Sequence, residues 1–246
     1  MVLPTAVVIG VGATRGLGAA LCRKFSGEGY HVFVVGRSQE KVENVAASIR
    51  SSGGSAEARV IDATKEEEVT ALFAAIFSES PRYEKPDLVV FNVGNNKRLA
   101  FSELSASTFE DFWRVGCFAG FLVGREAIQH LAPLGRGTII FTGASASLRG
   151  KAGFAQFSSA KAGLRMLSQS MAREFGPEGI HVAHVVVDGG INGDRLQNGS
   201  PERYASAGTE GLLDPESIAQ TYWHIHKQGH SSWTQEIDLR PFKENF

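Results

Sequence analysis

Hydrophobic and polar positions follow two alternating rhythms along the 246 residues. Short apolar, β-branched runs are each followed by longer stretches in which apolar residues recur three and four apart. The runs TAVVIG (5–10), HVFVVG (31–36), AEARVID (56–62), PDLVVFNVG (86–94), RGTIIFTG (136–143), IHVAHVVV (180–187) and WTQEIDL (233–239) predict strands. Helical patterns over 14–29, 39–53, 65–79, 107–132 and 154–175, and from Asp214 to about 228, fall between them. Thr64 with Glu67 reads as a capping box opening the 65–79 helix, and Asp214-Pro215-Glu216 as the cap of the last one. Strands that are apolar almost throughout, separated by helices, imply a parallel sheet covered on both faces. The expectation is an α/β fold of about seven strands, a doubly wound, Rossmann-type three-layer sandwich forming one domain over 1–246. Residues 189–213 form the one long irregular segment and are expected to be a substrate loop.

Composition adds little to this frame. Apolar residues make up 43% and charged residues 21%, as in an ordinary globular chain. The formal net charge of −1 gives no electrostatic reason to expect nucleic acid or an acidic membrane surface. No run of about 18 apolar residues exists to span a bilayer. The first residues lead straight into a strand, without the pattern of a cleavable leader. Cys22 and Cys117 are expected to be reduced thiols in a cytoplasmic protein. No metal site is expected.

In sheets of this kind ligands bind at the carboxyl ends of the strands. After the first strand, Gly10, Gly12, Gly16 and Gly18 let the backbone approach a pyrophosphate at a helix N-terminus. After the second, Gly36-Arg37-Ser38 offers no acid for ribose hydroxyls. Arg37 and the nearby Arg15 suit a 2′-phosphate instead, which favours NADP(H) over NAD(H). Asp62 closes the third strand, able to meet an adenine amino group or to cap the next helix. Asn92-Val93-Gly94 closes the fourth, beside a ribose.

With GVGATRGLG (10–18), the Asp62 turn, NVG (92–94), VVVDGGI (185–191) and the helix carrying Lys161, the chain resembles the short-chain dehydrogenase/reductase family over essentially its full length. The resemblance implies hydride transfer between NAD(P)H and a small-molecule substrate. It also implies a homo-oligomer, a dimer or tetramer, packing the 107–132 and 154–175 helices across subunits. On its pattern the cofactor would touch Gly12, Thr14, Arg15, Gly16, Leu17, Gly18, Arg37, Asp62, Ala63, Asn92, Gly94, Lys161 and Gly189.

The departures are as informative. Family members protonate the carbonyl oxygen with a tyrosine, activated by a lysine four residues later and assisted by a serine and an asparagine. Here only Lys161 survives. The tyrosine position is Phe157, the serine position Ala144 and the asparagine position Gly116. Asp188 stands where the family's Pro-Gly turn has proline, Gly193 where a threonine is usual, and Val11 where another threonine is usual. Loss of a general acid is typically worth ~10²–10⁴ in rate. Ser145 and Asp188 are the substitutes weighed here; Ser147, Tyr204, Asn95, Asn96 and Lys97 also lie near the mouth. Phe154, Phe157, Ala160, Leu164, Leu167, Met171 and Phe175 form a stripe that reads as core. Three functions stay open: an NADP(H)-dependent oxidoreductase acting on a carbonyl or enoyl group with a non-standard proton donor, a catalytically silent NADP(H)-binding sensor or partner subunit, and a non-redox lyase or isomerase. The aromatics of the C-terminal SSWTQEIDLRPFKENF are expected at a subunit interface.

Overall fold

The computed structural model describes residues 2–78, 80–208 and 210–244. The last residue of the expected 65–79 helix, residue 209 of the 189–213 segment and residues 245–246 lie outside the described residues.

Seven strands form one parallel sheet in the order β3-β2-β1-β4-β5-β6-β7. They are β1 (Thr5–Ile9), β2 (His31–Gly36), β3 (Ser55–Val60), β4 (Leu88–Phe91), β5 (Gly137–Thr142), β6 (Ile180–Val187) and β7 (Glu236–Leu239). Every residue of β1, β2, β4 and β6 is buried, which is why these runs show no polar alternation. Ala6 and Val8 face one apolar layer, formed with α1 (Leu17–Gly27), α2 (Gln39–Ser51) and α9 (Pro215–His226). Val7 and Ile9 face the other, formed with α3 (Glu66–Ile76), α5 (Ala119–Leu131) and α6 (Ala155–Phe175). The order reverses between β1 and β4, so the crevice for a ligand opens there.

The helix expected over 107–132 is α4 (Ala106–Trp113), a π turn over Arg114–Phe118, and α5. Ser105 caps α4 by accepting from Thr108 N at 3.1 Å, and Asp214 caps α9 by accepting from Ser217 N at 2.9 Å. The 65–79 helix does not open with Thr64 and Glu67. Thr64 N and Oγ1 both donate to Asp62 Oδ1, at 3.0 and 2.8 Å, and Glu68 rather than Glu67 reaches back to Asp62 N. A shorter carboxylate already in the turn thus takes the donors that the box would have used.

The expected stripe of α6 holds from Ala160 onward, with Leu167 and Phe175 packed against the core, and departs from expectation in the first turn. Gln156, Ala160, Lys161, Leu164, Ser168 and Met171 are buried, while Phe154 and Phe157 are half-buried on the wall of a cleft. The segment 189–213 holds α7 (Asp194–Gly199) and α8 (Pro201–Ser206). Its ends are pinned where Asn192 N donates to Leu213 O and Leu213 N to Gly190 O, each at 2.8 Å. Trp233, expected at an interface, stacks within the chain on His181, with ring centroids 4.8 Å apart.

Candidate active site

A cleft of about 990 Å³ opens at the carboxyl ends of β1, β2, β4, β5 and β6. Every residue expected to touch a cofactor lines it except Thr14, whose carbonyl turns away to accept from Arg23 at 2.9 Å. Helix α1 starts behind Gly16 with no side-chain cap and no acid in its first turn. Its leading amides are therefore open to an anion.

Arg15 lies on the cleft, with part of its guanidinium already engaged within the chain. Its guanidinium donates to Gln197 Oε1 at 3.1 Å and Tyr204 Oη at 3.3 Å, and faces Asp194 at 3.8 Å. The backbone explains why: Asp194 N donates to Arg15 O at 3.0 Å, and the space a β-carbon would need at Gly193 is filled by the Arg15 carbonyl. The family's threonine has no room at that position. Tyr204, rather than being a plain surface tyrosine, also donates to Asn192 Oδ1 at 2.7 Å and belongs to this clasp. Arg37 makes no ion pair among the described residues, and Lys41 lines the same end of the cleft. Burial alone would raise the Asp62 carboxyl; the two Thr64 hydrogen bonds, with Arg37 beyond, hold it below the usual carboxylate range.

Lys161 is 4% exposed, and its ammonium donates to Thr142 O at 2.8 Å and Val93 O at 3.2 Å. Burial, and then the charge of Arg195, push its pKa down to about 8. An ammonium carries three donors, so one remains for a ligand. Arg195 itself donates to Gly94 O at 3.1 Å, and burial lowers its pKa with no acid to offset the effect.

The reacting end is different in kind. Ala144 and Phe157 both line the cleft and present no hydroxyl. Gly116 is not on the wall. It sits inside the π turn against α6, where an added β-carbon would lie 2.9 Å from the Ala160 methyl, and Val115 lines the cleft instead. Ser145 lines the wall, and Ser147 turns inward, donating to Ala144 O at 2.7 Å. Asp188 is 2% exposed and accepts both its bonds from Arg149 Nη2, at 2.8 and 3.1 Å. Both Asp188 oxygens thus meet one guanidinium nitrogen, a partner that the sequence did not announce. Two more wall atoms, Asn95 Oδ1 and Ser158 Oγ, are buried without a partner. Behind the wall, the His184 ring fills the space beside Gly143 and meets Glu236 at 2.9 Å; Glu236 in turn accepts twice from Arg165 at 2.7 Å. Burial pushes the His184 pKa down to about 4, so it stays neutral near pH 7.

Among the cleft residues that reading the sequence missed are Lys41, Val115, Arg149, Lys151, Ser158, Arg195 and Glu244. A cation one turn beyond a serine-rich turn, as Arg149 is, was the available signal. Glu244 arrives from the C-terminal tail, which folds back so that Pro241 packs on Gly189.

The signature of the short chain dehydrogenase family matches residues 6–203. The chain is 31% identical over 223 residues to the uncharacterized oxidoreductase YuxG of Bacillus subtilis, covering 88% of this chain and 31% of that protein. It is 32% identical over 227 residues to 3beta-hydroxysteroid dehydrogenase 1 of Eggerthella lenta, covering 86% of this chain and 83% of that one. The crystal structure of a short-chain dehydrogenase from Rhodopseudomonas palustris superposes with a TM-score of 0.82 at 38% identity, over 97% of this chain and 99% of that one.

Proposed function

The chain belongs to the short-chain dehydrogenase/reductase family of oxidoreductases, and from that premise we propose that it is an NADP(H)-dependent reductase of a small carbonyl or enoyl compound, using a non-standard set of donors. The observation that carries the reading is the buried Lys161 ammonium, held by Thr142 O and Val93 O with one donor left over. An ammonium that deep in an apolar helix face has a cost that a ribose hydroxyl would offset.

The residues present fit the cofactor. The uncapped start of α1 suits a pyrophosphate, Lys161 a ribose, and the unpaired Arg37 with Lys41 a 2′-phosphate. When bound, the cofactor supplies a hydride and its electron pair. The chain's own part is to hold the substrate against that position, exclude water with Phe154 and Phe157, and keep the 189–213 segment closed through Arg15 and Tyr204. We place 1–246 as one catalytic unit with 189–213 as its substrate loop. It works in the cytoplasm, where Cys22 and Cys117 stay free. Phe109, Trp113 and Phe121, all exposed along α4 and α5, suit a face shared between copies in a dimer or tetramer.

Titration with NADPH and NADH, followed by a carbonyl and enoyl panel, tests the reading. Tight NADPH binding with consumption on at least one carbonyl supports it; no binding of either cofactor removes it. The bare Ala144 and Phe157 positions favour a second reading, a silent NADP(H)-binding protein. That reading expects the same binding and no turnover across the panel.

A further inference from the structure

The loss of three family donors leaves a question of chemistry: what receives the oxygen of the substrate? Arg149 and Asp188 line the cleft together with Ala144 and Gly189, and Arg149 N donates to Ser145 O at 3.1 Å. Arg149 follows the short 3₁₀ turn Ser145–Ser147 after β5, and Asp188 closes β6. Their pairing joins the segment after β5 to the end of β6. The burial is unequal: the Asp188 side chain is 3% exposed and that of Arg149 33%. One nitrogen, Nη2, meets both carboxylate oxygens. Nε and Nη1 therefore keep their hydrogens for another partner.

Of the neighbouring polar groups, Ser158 and Asn95 are neutral and would hold a developing negative charge less strongly than a guanidinium. Ser147 donates to Ala144 O, Lys161 to two carbonyls, and Ser145 has no base beside it to activate it. A buried carboxylate seating a guanidinium is an expensive arrangement, often no more stable than an apolar replacement. Its use here is to fix the open edge of the guanidinium in one direction.

Resting on the reduction reading above, we propose that Arg149, seated on Asp188, is the group that receives the carbonyl oxygen, in place of the hydroxyls absent at 144 and 157. As the carbon of the C=O bond accepts the hydride and its two electrons, the π pair moves to oxygen. Arg149 holds that charge with charge-assisted hydrogen bonds. A guanidinium does not release a proton at working pH. Water entering at the exposed edge of Arg149 therefore protonates the alkoxide, and the hydroxide left behind passes to solvent. Asp188 is the positioning residue.

Acetate is the probe: it is planar like a carbonyl, charged on oxygen like an alkoxide, and cannot be reduced. Thermal shift and nicotinamide fluorescence of the NADPH-loaded protein should show saturable acetate binding. R149Q should weaken it at least ~10-fold, and D188N should weaken it by less. R149Q leaves Asp188 buried and unpaired, so the double variant R149Q/D188N, with no orphaned charge, guards against simple unfolding and should show the same loss. NADPH affinity should change by less than about twofold in all three. On any carbonyl the wild type reduces, R149Q should lower kcat ~10²–10³-fold with the KM for NADPH unchanged. Acetate binding as tight in R149Q as in wild type, or none in wild type, overturns the proposal. So does a loss of NADPH affinity that tracks R149Q, because Arg149 would then belong to the cofactor. If wild type binds NADPH and reduces nothing in the panel, the reductase reading fails, while the acetate result still decides the role of Arg149.

Discussion

The two ends of the one cleft carry different relations to the family they share. The cofactor end keeps its parts in place: the glycine turn, the open α1 N-terminus, Asn92 bracing Gly10 O at 3.1 Å, and Lys161 four residues after Phe157. At the other end Ala144 and Phe157 present no hydroxyl, and the wall carries Ser145, Ser158 and an ion pair, Arg149 with Asp188. Contacts to a cofactor there would be spread over backbone and several strands, so a single change should weaken binding without abolishing it. Proton donation depends on one hydroxyl at one distance, so it is lost or replaced as a unit. The consequence is that the two ends should respond to substitution independently.

The largest expected break at the cofactor end is K161A. It removes a charge-assisted set of contacts worth about 2–3 kcal/mol, so NADPH and NADH affinity should both fall ~30–150-fold. Fluorescence titration checks this; a change below threefold would move the centre of cofactor binding away from Lys161. R37A is the next. Losing a guanidinium from a 2′-phosphate should lower NADPH affinity ~10-fold or more and leave NADH affinity within about twofold. R15A should show less selectivity, because its guanidinium is already bound to Gln197 and Tyr204. Equal losses for both cofactors in R37A would remove the 2′-phosphate assignment.

A pH series separates the same residue's two roles. Lys161 titrates near pH 8 in the folded chain, below its ordinary value, because burial disfavours the ammonium. Between about 8 and its ordinary value near 10.5, the unfolded chain holds the proton and the folded chain does not. The penalty of burying the charge is thus present below pH 8 and relieved as pH rises through it. Wild type minus K161M should therefore gain stability from pH 8 to 10 in thermal melts without cofactor. NADPH affinity should move the other way, falling by at most tenfold per pH unit above 8 as the ammonium is lost. Parallel slopes for wild type and K161M in both measurements would show that Lys161 does not titrate there.

How much of this was legible in the residues follows the range of each interaction. The strands could be read because a buried parallel strand is apolar over its whole length, as in VVFN before the fourth turn. Lys161 was singled out by a family resemblance, while its partners in the fold are the backbone carbonyls of Thr142 and Val93, which no residue pattern names. Phe157 was misplaced because a stripe of period 3.6 tells which residues share a face, and not where the sheet beneath that face ends. The first turn of α6 overhangs the sheet, so Phe154 and Phe157 wall a cleft while Gln156 is buried, donating to Lys97 O at 2.7 Å. Arg15 lines the cleft as its place in the first turn suggests, but its partners within the chain lie 182 and 189 residues away and could not be read locally. Arg149 and Asp188 meet only once β5 and β6 are paired. No local pattern announces such a contact.

The smallest expected effect is the sharpest probe of the comparison. If the reacting end merely lacks its hydroxyls, A144S/F157Y should restore them and raise kcat by ~10² or more, as a regained general acid would. If that end has been rebuilt around Arg149, the same double change should raise kcat no more than about threefold, because the substrate's oxygen is already directed elsewhere. The change is left at two positions because Gly116 has no room for a side chain against Ala160. Adding asparagine there would displace α6 and confound both outcomes. Steady-state rates on whichever carbonyl the panel yields decide between the two results. A weak response in A144S/F157Y together with a large loss in R149Q would place the oxygen at the guanidinium, with the position 157 ring serving to exclude water.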